Sequence, residues 1–167
     1  MKSNKIIISG PPSSGKTTII NALKKRGYVC FNEISPIDID LSINTNKLIL
    51  SKFLFSKRKE QYKALNNQLS FYDRSLIDVI AYMNFWNEKY PSSWDKEIHN
   101  CEYFHKVFYT STWKAIYKQT TNRQETYQEA QKIDLFLRKA YLNFKYQIIE
   151  VPHYNISKRV DFIINNI

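Results

Sequence analysis

At 167 residues, 43% hydrophobic and 24% charged, the chain has room for one domain with a proper core, taken as 1–167, and is too short for two. No stretch nears the roughly 20 apolar residues that cross a bilayer, and Met1–Lys5 lead straight into a short apolar run without a signal peptide's cleavage pattern, so a cytoplasmic protein is expected. The net charge of +10 favours anionic ligands such as nucleotides, phosphorylated metabolites or nucleic acid, but many lysines suit exposed helix faces and charge alone selects no partner.

Five apolar runs bounded by turn signals read as strands: Lys5–Ser9, Tyr28–Phe31, Leu69–Tyr72, Tyr103–Tyr109 and Tyr146–Val151. Helical periodicity fills the intervals. Lys16–Arg26 carries Ile19, Ile20 and Leu23 on one face and stops at Gly27, a residue suited to the left-handed position after a helix. Asn44 to about Asn67 offers Leu48, Ile49, Phe53 and Leu54 for burial. Ser75–Asp78 and Thr126–Glu129 have the Ser/Thr-x-x-acid form of a capping box, each ahead of a helix, and a last helix starts near Ser157. Pro91-Ser92-Ser93 reads as a break. Alternating strands and helices imply an α/β fold with a mainly parallel sheet and helices on both faces. Cys30 and Cys101 lack metal-ligand spacing, and His99, His105 and His153 do not cluster with them, so both cysteines read as small apolar side chains.

The most specific signal is Gly10-Pro11-Pro12-Ser13-Ser14-Gly15-Lys16-Thr17, which satisfies G-x-x-x-x-G-K-[ST] in full, after a strand and before an amphipathic helix. Glycines allow the backbone N–H groups to close around a phosphate, and the helix that follows aims its amides and dipole at the same anion. Lys16 supplies a positive charge for the β- and γ-phosphates, and the Thr17 hydroxyl suits magnesium. Residues Gly10 to Thr18 are therefore expected to bind ATP or GTP with Mg2+.

The remaining chemistry is sought at the carboxyl ends of the strands, where open α/β sheets bind ligands. Asp73 ends the third strand and is the expected second magnesium residue. Arg74 follows it, and an unpaired arginine there points to an anionic ligand. Glu33 follows the second strand, where a carboxylate could accept the proton of an attacking hydroxyl; a solvated loop glutamate is the competing reading, with Asp38 and Asp40 weaker candidates. The polar segment of about 117–126 is expected to fold over the nucleotide as a lid, with Arg123 as the cation meeting the transferred phosphoryl and Lys118 and Arg138 as lesser candidates.

Together these residues resemble a family of small P-loop ATPase and kinase domains that includes the ribosylnicotinamide kinase domain of bacterial NAD regulators. The resemblance rests on Ile8 through Thr18, Tyr72 through Tyr82, Asn122 through Ala130, Ala140-Tyr141, Ile149 through Pro152 and Arg159 through Ile163, nearly the whole chain. Glu33 and Asp73-Arg74-Ser75 are also similar to deoxynucleoside kinases, where the corresponding acid is the base and the arginine touches phosphate. The resemblance implies a three-layer P-loop NTPase fold with strand order 2-3-1-4-5, the arginine-bearing lid between strands four and five, and the Pro152–Ser157 turn near the adenine. It differs after Glu33, where Ile34-Ser35-Pro36 replaces the family's frequent arginine, and in the proline-rich phosphate loop.

The expected function is transfer of the γ-phosphoryl of ATP to a hydroxyl of a small, nucleoside-like acceptor. Two alternatives are a nucleotide-switched ATPase or regulator without a small acceptor, and a nucleic-acid end kinase or binder using the basic, aromatic run Lys52–Lys59, which also reads as one amphipathic helix with a solvated basic face. Phe53, Phe55, Tyr62, Tyr82, Phe85 and Trp86 could stack on a base or belong to the core.

Overall fold

The computed structural model describes residues 3–34, 46–64, 67–118 and 125–167. Strands β1 (Lys5–Ser9), β2 (Val29–Phe31), β3 (Ser70–Asp73), β4 (Lys106–Tyr109) and β5 (Gln147–Glu150) form a five-stranded sheet in the order β2-β3-β1-β4-β5. Every pairing is parallel, and Ile7 of β1 sits between Tyr72 of β3 and Val107 of β4. Helices α1 (Lys16–Lys25), α2 (Lys47–Lys63), α3 (Leu76–Phe85), α4 (Ser93–His99), α5 (Tyr127–Asn143) and α6 (Ile156–Ile164), with a single 3-10 turn at Lys114–Ile116, complete the described elements.

Side chains alternate across a strand, so β1 serves two cores. Ile6 and Ile8 pack with Phe71, Phe108, Ile19 and Leu23 of α1, and Val160 and Ile163 of α6. Ile7 faces the other way, into a cluster with Tyr72, Val107, Ile77 and Ile80 of α3, and Ile133 and Leu137 of α5. All three isoleucines are fully buried, which explains a continuous apolar run where a one-faced strand would alternate. Burying each contributes about 1.5–3 kcal/mol.

The local signals for helix ends behave as expected. α1 stops at a cap on Arg26, and Gly27 takes φ +87°. Both capping boxes form, Ser75 with Asp78 and Thr126 with Glu129.

Three details go beyond or depart from the sequence expectation. The break at Pro91-Ser92-Ser93 leads directly into the short helix α4, whose Trp94 and Ile98, four residues apart, are buried; a single apolar pair is too little periodicity to announce a helix. β4 begins at Lys106, not Tyr103: Tyr103 and Phe104 are buried, but the Tyr103 amide closes a turn onto the Cys101 carbonyl before the Phe104 amide reaches the Lys5 carbonyl at 2.9 Å, so a buried turn leading into the ladder mimics a strand. On α2 the buried positions are Leu50, Ser51, Phe55 and Arg58; Leu48 and Leu54 are half-buried against the same core, whereas Ile49 is 47% exposed. The face is set by Arg58, whose guanidinium donates to the Ser75 carbonyl at 3.0 Å, an attachment that hydrophobicity does not reveal.

Candidate active site

β1 brings the chain to Gly10 at the carboxyl edge of the sheet, beside the end of β4. Thr110 donates its amide to the Ser9 carbonyl at 2.8 Å, and a Cβ on Gly10 would stand 2.1 Å from the Thr110 carbonyl oxygen. Gly10 also has φ +147°, so no other residue fits. The loop then turns through Pro11 and Pro12 to Ser13 at φ 56° and Gly15 at φ 90°. Ser14 is buried, with Oγ 2.8 Å from the Pro11 carbonyl oxygen and 2.6 Å from Thr110 Oγ1. Lys16 opens α1 and arches back over the loop, its Nζ donating to the Pro11 carbonyl at 2.7 Å and to Ser14 Oγ at 3.3 Å. The loop is therefore curled beneath an ammonium group, with Thr17 and Thr18 exposed on the first turn of α1.

The end of β3 lies against this turn. Thr17 Oγ1 donates to Asp73 Oδ2 at 3.2 Å, while Asp73 Oδ1 is buried with no hydrogen-bond partner among the described residues. An orphaned carboxylate oxygen beside a threonine hydroxyl is an all-oxygen donor pair that fits a hard cation such as magnesium. Burial, followed by the negative charge of Glu33, pushes the Asp73 carboxyl up to about 6. A bound cation would reverse that shift.

Arg74 continues the ladder, donating its amide to the Ile8 carbonyl at 3.0 Å, and then takes φ 75°. A left-handed non-glycine residue costs roughly 1 kcal/mol or more. Its guanidinium is anchored on several sides: Nε donates to Glu33 Oε1 at 2.6 Å, and Nη1 donates to the Gly10 carbonyl and to Asp78 Oδ1, each at 3.2 Å. Arg74 is thus not the unpaired arginine the sequence suggests, because left-handed backbone and the next helical turn bring two carboxylates to it. Burial opposes ionisation of Glu33, but Arg74, then Lys16 and Arg58, outweigh it and hold the carboxyl well below the ordinary range. Glu33 is consequently a carboxylate placed at the site, not a solvated loop glutamate.

Several contributors escaped the sequence reading. Asp78 is fully buried and is more than a cap: Ser9 Oγ reaches its Oδ1 at 2.7 Å, and Tyr141 of α5 donates to its Oδ2. Thr110 walls the loop; a hydroxyl directly after a buried strand at this edge was the available hint. Arg159 of α6 is 3% exposed and donates through Nη2 to the Ser14 carbonyl at 3.3 Å. Its signal was an arginine on the apolar stripe of Ile156, Val160 and Ile163. Trp113 and His153 stack at 4.5 Å with rings nearly parallel, next to the turn the resemblance places near adenine.

Arg123 lies outside the described residues, as do Asp38 and Asp40. The Lys118 carbonyl accepts from Ser13 Oγ at 2.8 Å, so the start of the expected lid rests on the phosphate loop. Arg138 is occupied elsewhere: it pairs with Asp134 at 2.7 Å and with Glu150, and lies 4.4 Å from the Tyr109 ring centroid. The basic run of α2 is largely neutralised, with Lys57 paired to Glu60, Lys59 to Glu97, and Arg58 buried. Phe55 stacks on Trp94 in the core and the half-buried Tyr62 packs tilted against Tyr103, whereas Tyr82 lies beneath Arg74 and against Trp86.

A five-stranded parallel sheet with a glycine loop under lysine at its carboxyl edge, joined there by an aspartate from the adjacent strand, defines a P-loop NTPase domain. The chain belongs to the AAA domain family, whose model matches residues 5–159. No curated protein matches the chain by sequence. Among solved structures, it is similar to the deoxyadenosine kinase of M. mycoides with bound dATP (18% identity, 97% of this chain and 98% of that one, TM-score 0.68). It is also similar to the thymidylate kinase of Ehrlichia chaffeensis (14%, 99% and 99%, TM-score 0.68). A third is the YorR protein of Bacillus subtilis in complex with phosphorylated GDP (17%, 97% and 94%, TM-score 0.65). At these identities the likeness establishes a shared fold over nearly the full length of each chain.

Proposed function

We propose that this domain is a kinase that moves the γ-phosphoryl of ATP, or of GTP, to a hydroxyl of a small nucleoside-like acceptor. The observation carrying this reading is the meeting of two pairs beside the phosphate loop: Thr17 with Asp73, and Glu33 with Arg74. One pair suits the metal of a nucleotide. The other offers a carboxylate to a hydroxyl and a cation to a phosphoryl group. The structural neighbours named as kinases support the same class.

In this reading the Gly10–Thr18 loop, through the N–H groups of its non-proline residues, and the Lys16 ammonium hold the triphosphate, and Thr17 and Asp73 would hold Mg2+. Magnesium, when bound, neutralises charge on the β- and γ-phosphate oxygens. The acceptor hydroxyl sits against Glu33, between Arg74 and α2. Its oxygen bonds to the γ-phosphorus, the bond to the bridging oxygen of the leaving nucleoside diphosphate breaks, and the proton passes to Glu33. Arg74 keeps Glu33 ionised but weakly basic, which suits a loose transition state in which positioning outweighs early proton removal. Arg123 would complete the charge from the 117–126 segment, and the acceptor would be a nucleoside or a nucleoside-like vitamin derivative such as ribosylnicotinamide. A cytoplasmic enzyme fits this chemistry, and no described helix is long and apolar enough to cross a membrane. The neutralised basic run of α2 counts against a nucleic-acid end kinase.

The test is incubation with Mg·ATP and a panel of nucleosides and ribosylated vitamins, read by mass spectrometry for a phosphorylated product. A product that forms only with one acceptor class is expected. Phosphate release indifferent to every acceptor would replace this reading with the ATPase alternative.

A further inference from the structure

Cationic side chains hold three carbonyls of the phosphate loop. Arg74 takes the Gly10 carbonyl at 3.2 Å, Lys16 takes that of Pro11 at 2.7 Å, and Arg159 takes that of Ser14 at 3.3 Å. The three are not equivalent. A planar trans peptide points its C=O and N–H in opposite directions, so pulling the oxygen outward turns the following amide inward. The Gly10 and Pro11 carbonyls precede Pro11 and Pro12, which have no N–H to direct. The Ser14 carbonyl precedes Gly15, which has one.

Building on the nucleotide-binding reading, we propose that Arg159 is a positioning residue that aims the Gly15 amide at the bound phosphate by holding the other end of the same peptide. The guanidinium is built into this place. It lies 5.6 Å from the Trp113 ring centroid, its residue is 3% exposed, and its Nε has no partner among the described residues, leaving the Ser14 carbonyl as its hydrogen-bond acceptor. It also accounts for the second glycine of the motif: a Cβ on residue 15 would stand 2.7 Å from Arg159 Nη1, and Gly15 has φ +90°. A charged donor on the carbonyl further polarises the peptide and strengthens its N–H as a donor.

The probes are Mg·ATP and inorganic tripolyphosphate, titrated by calorimetry into wild type, Arg159→Met and Arg159→Lys, with the Gly15 amide followed by NMR. Arg159→Met should weaken both ligands by a similar factor of about ten, the size of one hydrogen bond to a charged group. Arg159→Lys should recover part of the loss, since it restores the cation without the guanidinium's fixed fork of donors. In wild type, tripolyphosphate should shift the Gly15 amide strongly downfield, a readout that stands even where a variant does not fold. Weaker ATP binding with unchanged tripolyphosphate binding would mean that Arg159 meets the nucleoside instead, and overturns the proposal. Equal affinities in all three proteins, or an unmoved Gly15 amide, overturn it too. A wild-type protein that binds neither probe removes the phosphate-loop reading along with it.

Discussion

Glu33 and Arg74 are 41 residues apart in the chain, yet Arg74 Nε donates to Glu33 Oε1 at 2.6 Å, a charge-assisted contact across the carboxyl ends of β2 and β3. The pair keeps the carboxylate ionised and oriented in a site where burial opposes its charge. Glu33→Gln preserves the shape and removes the proton acceptor. With the acceptor found by the metabolite screen, kcat should fall roughly 10²- to 10⁴-fold while the affinity for Mg·ATP stays within a few-fold. Steady-state kinetics and an ATP titration decide it: turnover within threefold of wild type would remove Glu33 from the chemistry.

Asp73 sets a pH dependence of opposite sign to that of a stabilising carboxylate. Burial and Glu33 raise it from 3.8 to about 6 in the folded chain. Between those values the folded state holds a proton that the unfolded state has released, so this group's contribution to stability falls as pH rises from 4 to 6 and stays unfavourable above. Asp73→Asn should therefore stabilise the ligand-free protein by about 1–2 kcal/mol at pH 7.5, with the gain shrinking towards pH 4. The same variant should lose most of the magnesium-dependent gain in ATP affinity. Urea unfolding at several pH values and ATP titrations with and without magnesium test both halves. A variant less stable than wild type at pH 7.5 would contradict the assignment of Asp73 as a strained, metal-ready carboxylate.

What the sequence displays and what it hides divide along the range of the forces involved. The phosphate loop, both capping boxes and the Gly27 stop are set by neighbours a few residues away, so their residue types announce them. The order of the strands rests on the resemblance and on the alternation of strand and helix, which restricts a parallel sheet to few topologies. The pairing of Arg74 with Glu33 and Asp78 was hidden, because it depends on a left-handed backbone at a non-glycine residue. Arg58 and Arg159 were hidden for a related reason. Each lies on a helix face read as apolar or solvated, and each is fixed by a distant backbone carbonyl, Ser75 and Ser14 respectively.

The close approach of β4 to the phosphate loop makes Gly10 the least replaceable residue of the motif. A Cβ there would meet both the carbonyl and the hydroxyl of Thr110, at 2.1 and 2.4 Å, in a backbone conformation that L-residues avoid. Gly10→Ala should cost on the order of 3 kcal/mol or more and abolish detectable ATP binding, since loop and strand cannot both keep their places. Thermal melts and an ATP titration check it. Wild-type melting and binding would show that β4 and the loop are further apart than the Thr110 contact indicates.

Asp78 gives the opposite linkage to Asp73 and so separates a structural carboxylate from the one proposed to hold the metal. It is fully buried; that burial opposes its charge, but Arg74 and then Arg58, with hydrogen bonds from Tyr141 and Ser9, more than compensate and hold it below 3.8. Its stabilisation is present above pH 4 and is lost as pH falls through the lowered value. Asp78→Ala leaves Arg74 buried with one carboxylate fewer and should cost about 3–5 kcal/mol at pH 7. Tyr141→Phe, which removes a single donor, should cost about 1–2 kcal/mol. The gap between wild type and Asp78→Asn should be constant from pH 7 to pH 4 and narrow only in stronger acid. Urea midpoints across that range measure it. A gap that widens on acidification would mean that the ion pair with Arg74 is not what stabilises Asp78, and that the charge at the start of α3 is tolerated for some other reason.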